Sequence, residues 1–215
     1  MCFKKIFDKS VDYPNQQVIK RLLRDQQCTL VFEVIDPIND PHMIEYPEEK
    51  LVLLDIVANS EKFKRATFEQ VKAFANKFGL EHKKRFNSFN SWDKLEGWMD
   101  NLLDNQDDNL VNPTHPVEGY VVEDSANVLF KLKCNYYSFW KYMRSVKDKK
   151  IRSLEGNTEF KVKKDDLDEI GQEFVAWVEL QDADTLKKDI ITLRRMFNEN
   201  KGMNIINILQ DKKLG

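Results

Sequence analysis

The feature that most constrains this chain is where its strand-forming segments stop. Two β-branched, apolar runs, Thr29–Ile35 and Leu51–Val57, lie early, and two more, Val117–Glu123 and Val128–Cys134, lie in the middle. After Cys134 such runs are scarce and apolar residues recur at helical spacing instead. A chain with its strands in the first 135 residues and helices behind them belongs to the α+β class, not to an alternating α/β fold.

The first strand ends in a turn cluster, Asp36–Pro41, and His42–Tyr46 reads as a short return strand closed by Pro47. Leu51–Val57 is continuously apolar but for Asp55, the pattern of a strand buried on both faces. Residues 29–57 therefore predict a three-stranded meander. The two middle runs, joined by Asp124–Asn127, predict a hairpin. Helices are expected over Asn15–Asp25, over Phe68–Phe78 between a Thr67 cap and a Gly79 stop, and from a Ser91 cap through Leu102. Asn101–Pro116 is polar and acidic and reads as a loop. The tail predicts helices at Tyr136–Val146, at Asp165 or Asp166 to Leu180, at Asp184 or Thr185 to Asn198, and at Asn204–Leu209. Residues 147–166 form a charged connector with a short extended piece at Glu159–Val162. Trp92, Trp98, Phe174 and Trp177 are expected in the core.

With 215 residues, 41% of them hydrophobic and 14 of them Phe, the chain carries enough apolar material for a core, which excludes wholesale disorder. No run approaches a membrane span, and MCFKKIFDKS has no apolar signal region. Cys2, Cys28 and Cys134 show no metal spacing and cannot all pair, so a reducing cytoplasm is the expected compartment. The formal net charge of −2 does not decide for or against nucleic acid, because basic residues can gather on one face.

Charged residues that interrupt apolar strands mark the candidate chemistry. Glu33 lies inside the first strand, Glu118 opens the third, and Lys131 and Lys133 alternate with Phe130, Leu132 and Cys134. The period of two puts both lysines on one face. Two adjacent ammoniums suit a phosphate, and a carboxylate beside Gly119 suits a metal ion or a ribose hydroxyl. Each feature also has a plainer reading: Lys-x-Lys as a solvated face, and a lone Glu as an exposed or edge residue. Lys83-Lys84-Arg85 with Phe86 and Phe89, and Lys147–Arg152, read either as RNA contacts or as solvated helix ends. His42, His82 and His115 are scattered and do not read as metal ligands.

The order of these segments resembles the motif series of the covalent nucleotidyltransferases, and within them the phage T4 RNA ligase 1 type. Phe32-Glu33, with the Asp36-Pro-x-Asn39 turn and a return strand ending at Tyr46, resembles motif III. Lys50–Val57 resembles motif IIIa, Glu118-Gly119-Tyr120-Val121-Val122 motif IV, and Lys131-Leu132-Lys133 followed by Tyr137 motif V. The resemblance covers about residues 15–145. It implies a partial nucleotidyltransferase, an ATP-grasp-like ligase antiparallel sheet with helices over 29–135. A lead-in with one helix precedes it over 1–28, and an all-α C-terminal domain follows over 136–215.

The resemblance also implies roles. Glu33 would hold a ribose hydroxyl, Glu118 would support Mg²⁺ and the reaction centre, and Lys131 and Lys133 would contact ATP phosphates and promote adenylate transfer. Gly119 and Tyr137 would join them in nucleotide binding. The implied activity is the sealing of 5′-phosphate and 3′-hydroxyl RNA ends through adenylate intermediates, on tRNA-like or other nicked single-stranded RNA.

The departures are as specific. The family's nucleophile is a lysine in Lys-x-Asp-Gly, and the chain contains no such tetrapeptide. Lys9-Ser10-Val11-Asp12 is the nearest imitation, and only 32 residues precede Glu33. The return strand has Asp40-Pro41-His42 where relatives commonly carry arginine. Two expectations follow. Either this is the C-terminal part of an RNA ligase whose lysine comes from another segment, a possible N-terminal ligase piece acting in trans, or it is a non-catalytic RNA-binding or regulatory ligase remnant.

Overall fold

The computed structural model describes residues 2–40, 42–107, 117–156 and 158–211. The described chain falls into two compact units, the first built from residues 1–41 and 45–88 and the second from 42–44 and 89–215.

In the first unit, helices α1 (Cys2–Ser10) and α2 (Tyr13–Asp25) precede strands β1 (Cys28–Ile35) and β2 (Lys50–Ala58). Helix α3 (Phe68–Phe78) and the two-residue strand β3 (Glu81–His82) follow. Asp12 caps α2 by accepting from the Asn15 N–H at 2.8 Å, so the helix starts two residues before the expected Asn15. Thr67 and Gln70 form a reciprocal capping box on α3, and Gly79 ends it at φ 67°, as the sequence predicts. β1 and β2 pair antiparallel, with a bulge between Val31 and Phe32 that leaves Leu54 extra on β2. β3 pairs parallel to β2, giving the order β1-β2-β3. One face of the sheet packs Leu51 and Leu53 against Ile6, Val11, Ile19, Val71, Ala75 and Phe78.

Two expectations fail here. His42–Tyr46 is not a strand, so no meander forms: Met43 and Ile44 are instead buried in the second unit, and the Arg194 guanidinium donates to the Met43 carbonyl at 3.1 Å. Pro41 and Pro47 bracket this segment and lack the N–H groups a ladder needs. β2 is also not buried evenly on both faces. Leu51 and Leu53 are buried while Val52 and Leu54 are half-exposed, because helices cover only one side of the sheet; Asp55, turned to the other side by the bulge, is buried beside Arg65.

In the second unit α4 (Trp92–Asp107) runs past the expected loop start at Asn101; the rest of that predicted loop, with His115, lies outside the described residues. Strands β4 (Gly119–Glu123) and β5 (Leu129–Lys133) form the predicted hairpin. α5 (Asn135–Leu154) extends into the expected connector as far as Leu154, and its Lys147 ammonium donates to the Lys188 carbonyl at 3.1 Å. Glu159–Val162 joins no ladder. A 3₁₀ turn at Lys164–Asp166 leads to α6 (Glu169–Glu179), capped by Asp168.

The helix expected over Asp184–Asn198 is two helices, α7 (Ala183–Leu186) and α8 (Ile190–Asp211). The break is local chemistry. Asp182 accepts from the Thr185 N–H at 2.7 Å, and Asp189 accepts from both the Thr192 N–H and hydroxyl, so each Asp-x-x-Thr starts a new helix. The short helix expected at Asn204–Leu209 is the continuation of α8. The core gathers Trp140, Met143, Phe174, Val178, Leu186, Leu193 and Phe197, with Trp140 and Phe174 edge-to-face at 5.4 Å. Phe174 and Trp177 are core as expected, Trp98 is half-buried, and Trp92 is 61% exposed at the first position of its helix. Among the described residues no helix is long and apolar enough to cross a membrane.

Candidate functional site

The β4–β5 hairpin is set by its turn. The Asp124 carboxylate accepts from the Ala126 and Val128 N–H groups, each at 2.8 Å, and Asn127 takes the left-handed conformation that closes the reversal. This fixes the register: Val121 lies opposite Lys131 and Gly119 opposite Lys133. Lys131 and Lys133 therefore share one face and Phe130 and Leu132 the other, as the alternation predicts. The Phe130 face carries Tyr120, whose ring meets Trp98 of α4 at 5.1 Å.

Gly119 is the point of closest approach. Its φ is +144°, and a Cβ there would lie 1.9 Å from the Leu132 carbonyl oxygen. Only glycine lets the two backbones meet this closely. Its role in this chain is thus to hold backbone against backbone. Glu118 stands just before β4 rather than inside it, but its carbonyl accepts from the Cys134 N–H at 3.1 Å and prolongs the ladder by one step.

That step delivers the side chains. The Lys133 ammonium donates to Glu118 Oε2 at 2.8 Å. α5 begins two residues after Lys133, so Tyr137 lies in its first turn, and the Lys133 Nζ sits 3.9 Å from the Tyr137 ring centre. Lys133 is held between a carboxylate and an aromatic face, with both charged side chains 28% exposed. Burial by itself raises the Glu118 carboxyl, yet the hydrogen-bonded Lys133 ammonium and His42 together outweigh it and hold the carboxyl below the ordinary glutamate value. Burial likewise lowers the Lys133 ammonium, and Glu118 outweighs it in the other direction, so Lys133 stays charged above the usual lysine range.

The sequence reading missed one member of this group. His42 Nδ1 lies 3.4 Å from Glu118 Oε1, a long hydrogen bond when the ring carries its proton there. Nothing local in the sequence signals the pairing, since the two residues lie 76 positions apart.

Of the residues singled out in the sequence, Glu118, Lys133 and Tyr137 come together, Gly119 supports them, and Lys131 lies exposed one strand period away on the same face. Glu33 lies on β1 of the first unit, exposed, opposite Val52. Among the described residues no group of three or more His, Cys, Asp or Glu side chains could hold a metal by itself. The donor set still suits a nucleotide-bound Mg²⁺ in kind, because that ion takes one or two carboxylates and fills its other positions with water and phosphate oxygens. Cys28 and Cys134 form no disulfide, and burial pushes the Cys28 thiol up.

No curated protein matches the chain. The family model for RNA ligase, of the T4 RNA ligase type, matches residues 2–142, which span β1, β2, the Glu118 hairpin and the start of α5. With that match over most of its length, the chain belongs to the RNA ligase family.

Proposed function

We propose that this chain is the C-terminal part of an ATP-dependent RNA ligase that seals 5′-phosphate and 3′-hydroxyl RNA ends. The nucleophilic lysine is supplied by a polypeptide segment other than these 215 residues. The observation that carries the reading is the Lys133 ammonium held between Glu118 and Tyr137, with Lys131 beside it on the same face. A lysine ammonium has three N–H donors. One is used by Glu118, which leaves donors for phosphate oxygens without losing the anchor.

The chemistry expected of these residues is electrostatic. Phosphoryl and nucleotidyl transfers need positioning and neutralisation of the charge that grows on the leaving group. Lys131 and Lys133 provide two fixed positive charges for that purpose. Glu118 keeps Lys133 protonated and oriented, and His42 holds the opposite carboxylate oxygen. Mg²⁺ bound to the nucleotide, with Glu118 as its protein contact, adds further charge neutralisation at the phosphates. Glu33, on the first unit, is assigned to a ribose hydroxyl by the family resemblance alone.

The test is intact-mass measurement after incubation with ATP and Mg²⁺. The chain alone is expected to form no adduct. The chain together with a segment bearing Lys-x-Asp-Gly is expected to gain one AMP on that lysine, with Lys133→Ala greatly slowing the gain. Absence of both adduct and end joining from the pair refutes the catalytic reading.

A further inference from the structure

Arg194, one turn into α8, is a charged residue buried in the second unit at 8% exposure. Its guanidinium lies 5.4 Å from the Tyr136 ring centre and 5.5 Å from that of Trp140, two buried rings of α5. It donates to the Met43 carbonyl at 3.1 Å, across 151 positions of sequence. Met43 and Ile44 are 3% and 4% exposed, although they belong to no helix or strand. A buried carbonyl outside a helix or ladder needs a donor, and Arg194 supplies one. An apolar side chain at position 194 would fill the space beside the rings without the cost of taking a guanidinium out of water. It would not supply the bond to Met43.

That bond bears on the site through the preceding residue. His42 Nδ1 lies 3.4 Å from Glu118 Oε1, and Glu118 Oε2 accepts from the Lys133 ammonium at 2.8 Å. With the Met43 side chain buried and its carbonyl bonded, the backbone that follows His42 is held. The imidazole is then aimed by its own two side-chain torsions alone. α5 ties the two ends of this path together. Tyr136 lies beside Arg194, and the next residue, Tyr137, lies 3.9 Å from the Lys133 Nζ. Successive residues in the first turn of one helix thus seat the cation that holds Met43 and the cation that holds Glu118. Residues 42–44 are grouped with the second unit, so the whole path, from Arg194 through Met43 and His42 to Glu118, lies within that unit.

We infer that Arg194 is a positioning residue for the Glu118–Lys133 pair: it pins the His42–Ile44 strap, and the strap holds His42 against Glu118. The C-terminal helices thereby shape the site through a single backbone carbonyl. The consequence for AMP transfer rests on the ligase reading above; the strap contact itself does not.

The experiment has two readouts. The first is the nitrogen NMR spectrum of the His42 ring, assigned by its loss in His42→Ala and recorded at one pH above the ordinary histidine range. The parent is expected to carry the ring proton on Nδ1, the nitrogen that faces Glu118. Arg194→Met keeps the bulk without the donor and is expected to move that proton to Nε2; Arg194→Lys keeps a donor and is expected to retain it on Nδ1. The second readout is AMP transfer with the lysine-bearing segment. Arg194→Met is expected to lower its rate at saturating ATP about tenfold, with the half-saturating ATP concentration little changed. In a His42→Ala background the same substitution is expected to change the rate by less than about twofold, because the two residues act through one contact. Met43→Ala/Ile44→Ala loosens the strap without touching α8 and is expected to reproduce Arg194→Met in both readouts, so the test does not hang on Arg194→Met folding. Three results overturn the inference: a folded Arg194→Met with the parental His42 spectrum, Met43→Ala/Ile44→Ala with that spectrum, or equal effects of Arg194→Met with and without His42. Loss of the Nδ1 proton in Arg194→Met, with no AMP adduct from any pairing, overturns the catalytic reading and leaves the strap contact standing. An adduct with a His42 spectrum indifferent to Arg194 does the reverse.

Discussion

Gly119→Ala is the sharpest perturbation of the hairpin. The new methyl would lie 1.9 Å from the Leu132 oxygen and 2.8 Å from both the Leu132 carbonyl carbon and the Lys133 Cα, all of them backbone atoms with no rotamer to change. A carbon–oxygen contact relaxes at about 3.3 Å, so the strands must part by roughly 1.4 Å at this point. The Lys133–Glu118 contact, 2.8 Å now, then stretches to beyond hydrogen-bond reach. The strain and the broken ladder step together cost about 2–4 kcal/mol.

Because among the described residues the sheet has only β4 and β5, that cost falls on the hairpin more than on the helical core. Hydrogen exchange is expected to show loss of protection across Gly119–Glu123 and Leu129–Lys133, while α5 and α6 keep theirs. AMP transfer with the lysine-bearing segment is expected to fall in parallel. Gly97→Ala is the matched control: a Cβ there meets nothing within 4 Å, and the change inside a helix is expected to stabilise by up to about 1 kcal/mol. Parental hairpin protection and activity in Gly119→Ala would refute the close-approach reasoning.

Other outcomes follow from the same contacts. Lys133→Met removes the ammonium that lowers Glu118, so an NMR titration is expected to find the Glu118 carboxyl raised. In the parent, Glu118 stabilises above its unfolded value of about 4.3 and that contribution is lost as pH falls through the lower folded value, so the variant is expected to show less acid-dependent destabilisation over that window. The effect at neutral pH should be about 1 kcal/mol or less for a partly exposed pair. Thr67→Ala removes half of the α3 capping box and is expected to cost about 1 kcal/mol by denaturant unfolding. Asp55→Ala leaves the nearly buried Arg65 without its carboxylate and is expected to cost about 3 kcal/mol or more, with Asp55→Asn milder; a neutral result would show that Arg65 does not depend on Asp55.

Elements whose cause is local were legible in the sequence. α3 carries its own cap and stop, and the β4–β5 hairpin carries its Asp124 turn and the alternation of Lys131 and Lys133. The errors came where a distant partner, a competing side-chain cap or a helix end decides. His42–Tyr46 has strand-like residues, but Met43 and Ile44 find burial in the second unit instead of a ladder. The Asp184–Asn198 periodicity continues through Asp189, and a side-chain cap that competes with helix continuation splits it. Trp92 reads as core by residue type, but its place at the start of α4 leaves it in water.

The sequence by itself determined the class of the fold, the order of its motifs and the identity of the charged residues. Periodicity and turn chemistry act over a few residues and need no knowledge of the rest. Tertiary structure alone decided which of those charges meet. A strand's alternation places Lys133 on a face, but only the hairpin register, the glycine-permitted close approach and the immediate start of α5 bring Glu118 and Tyr137 to it. The same holds for His42 beside Glu118 and for Arg65 and Lys83 on Asp55. Attraction between charges acts over a few ångströms in space, and the distance along the chain carries no information about it.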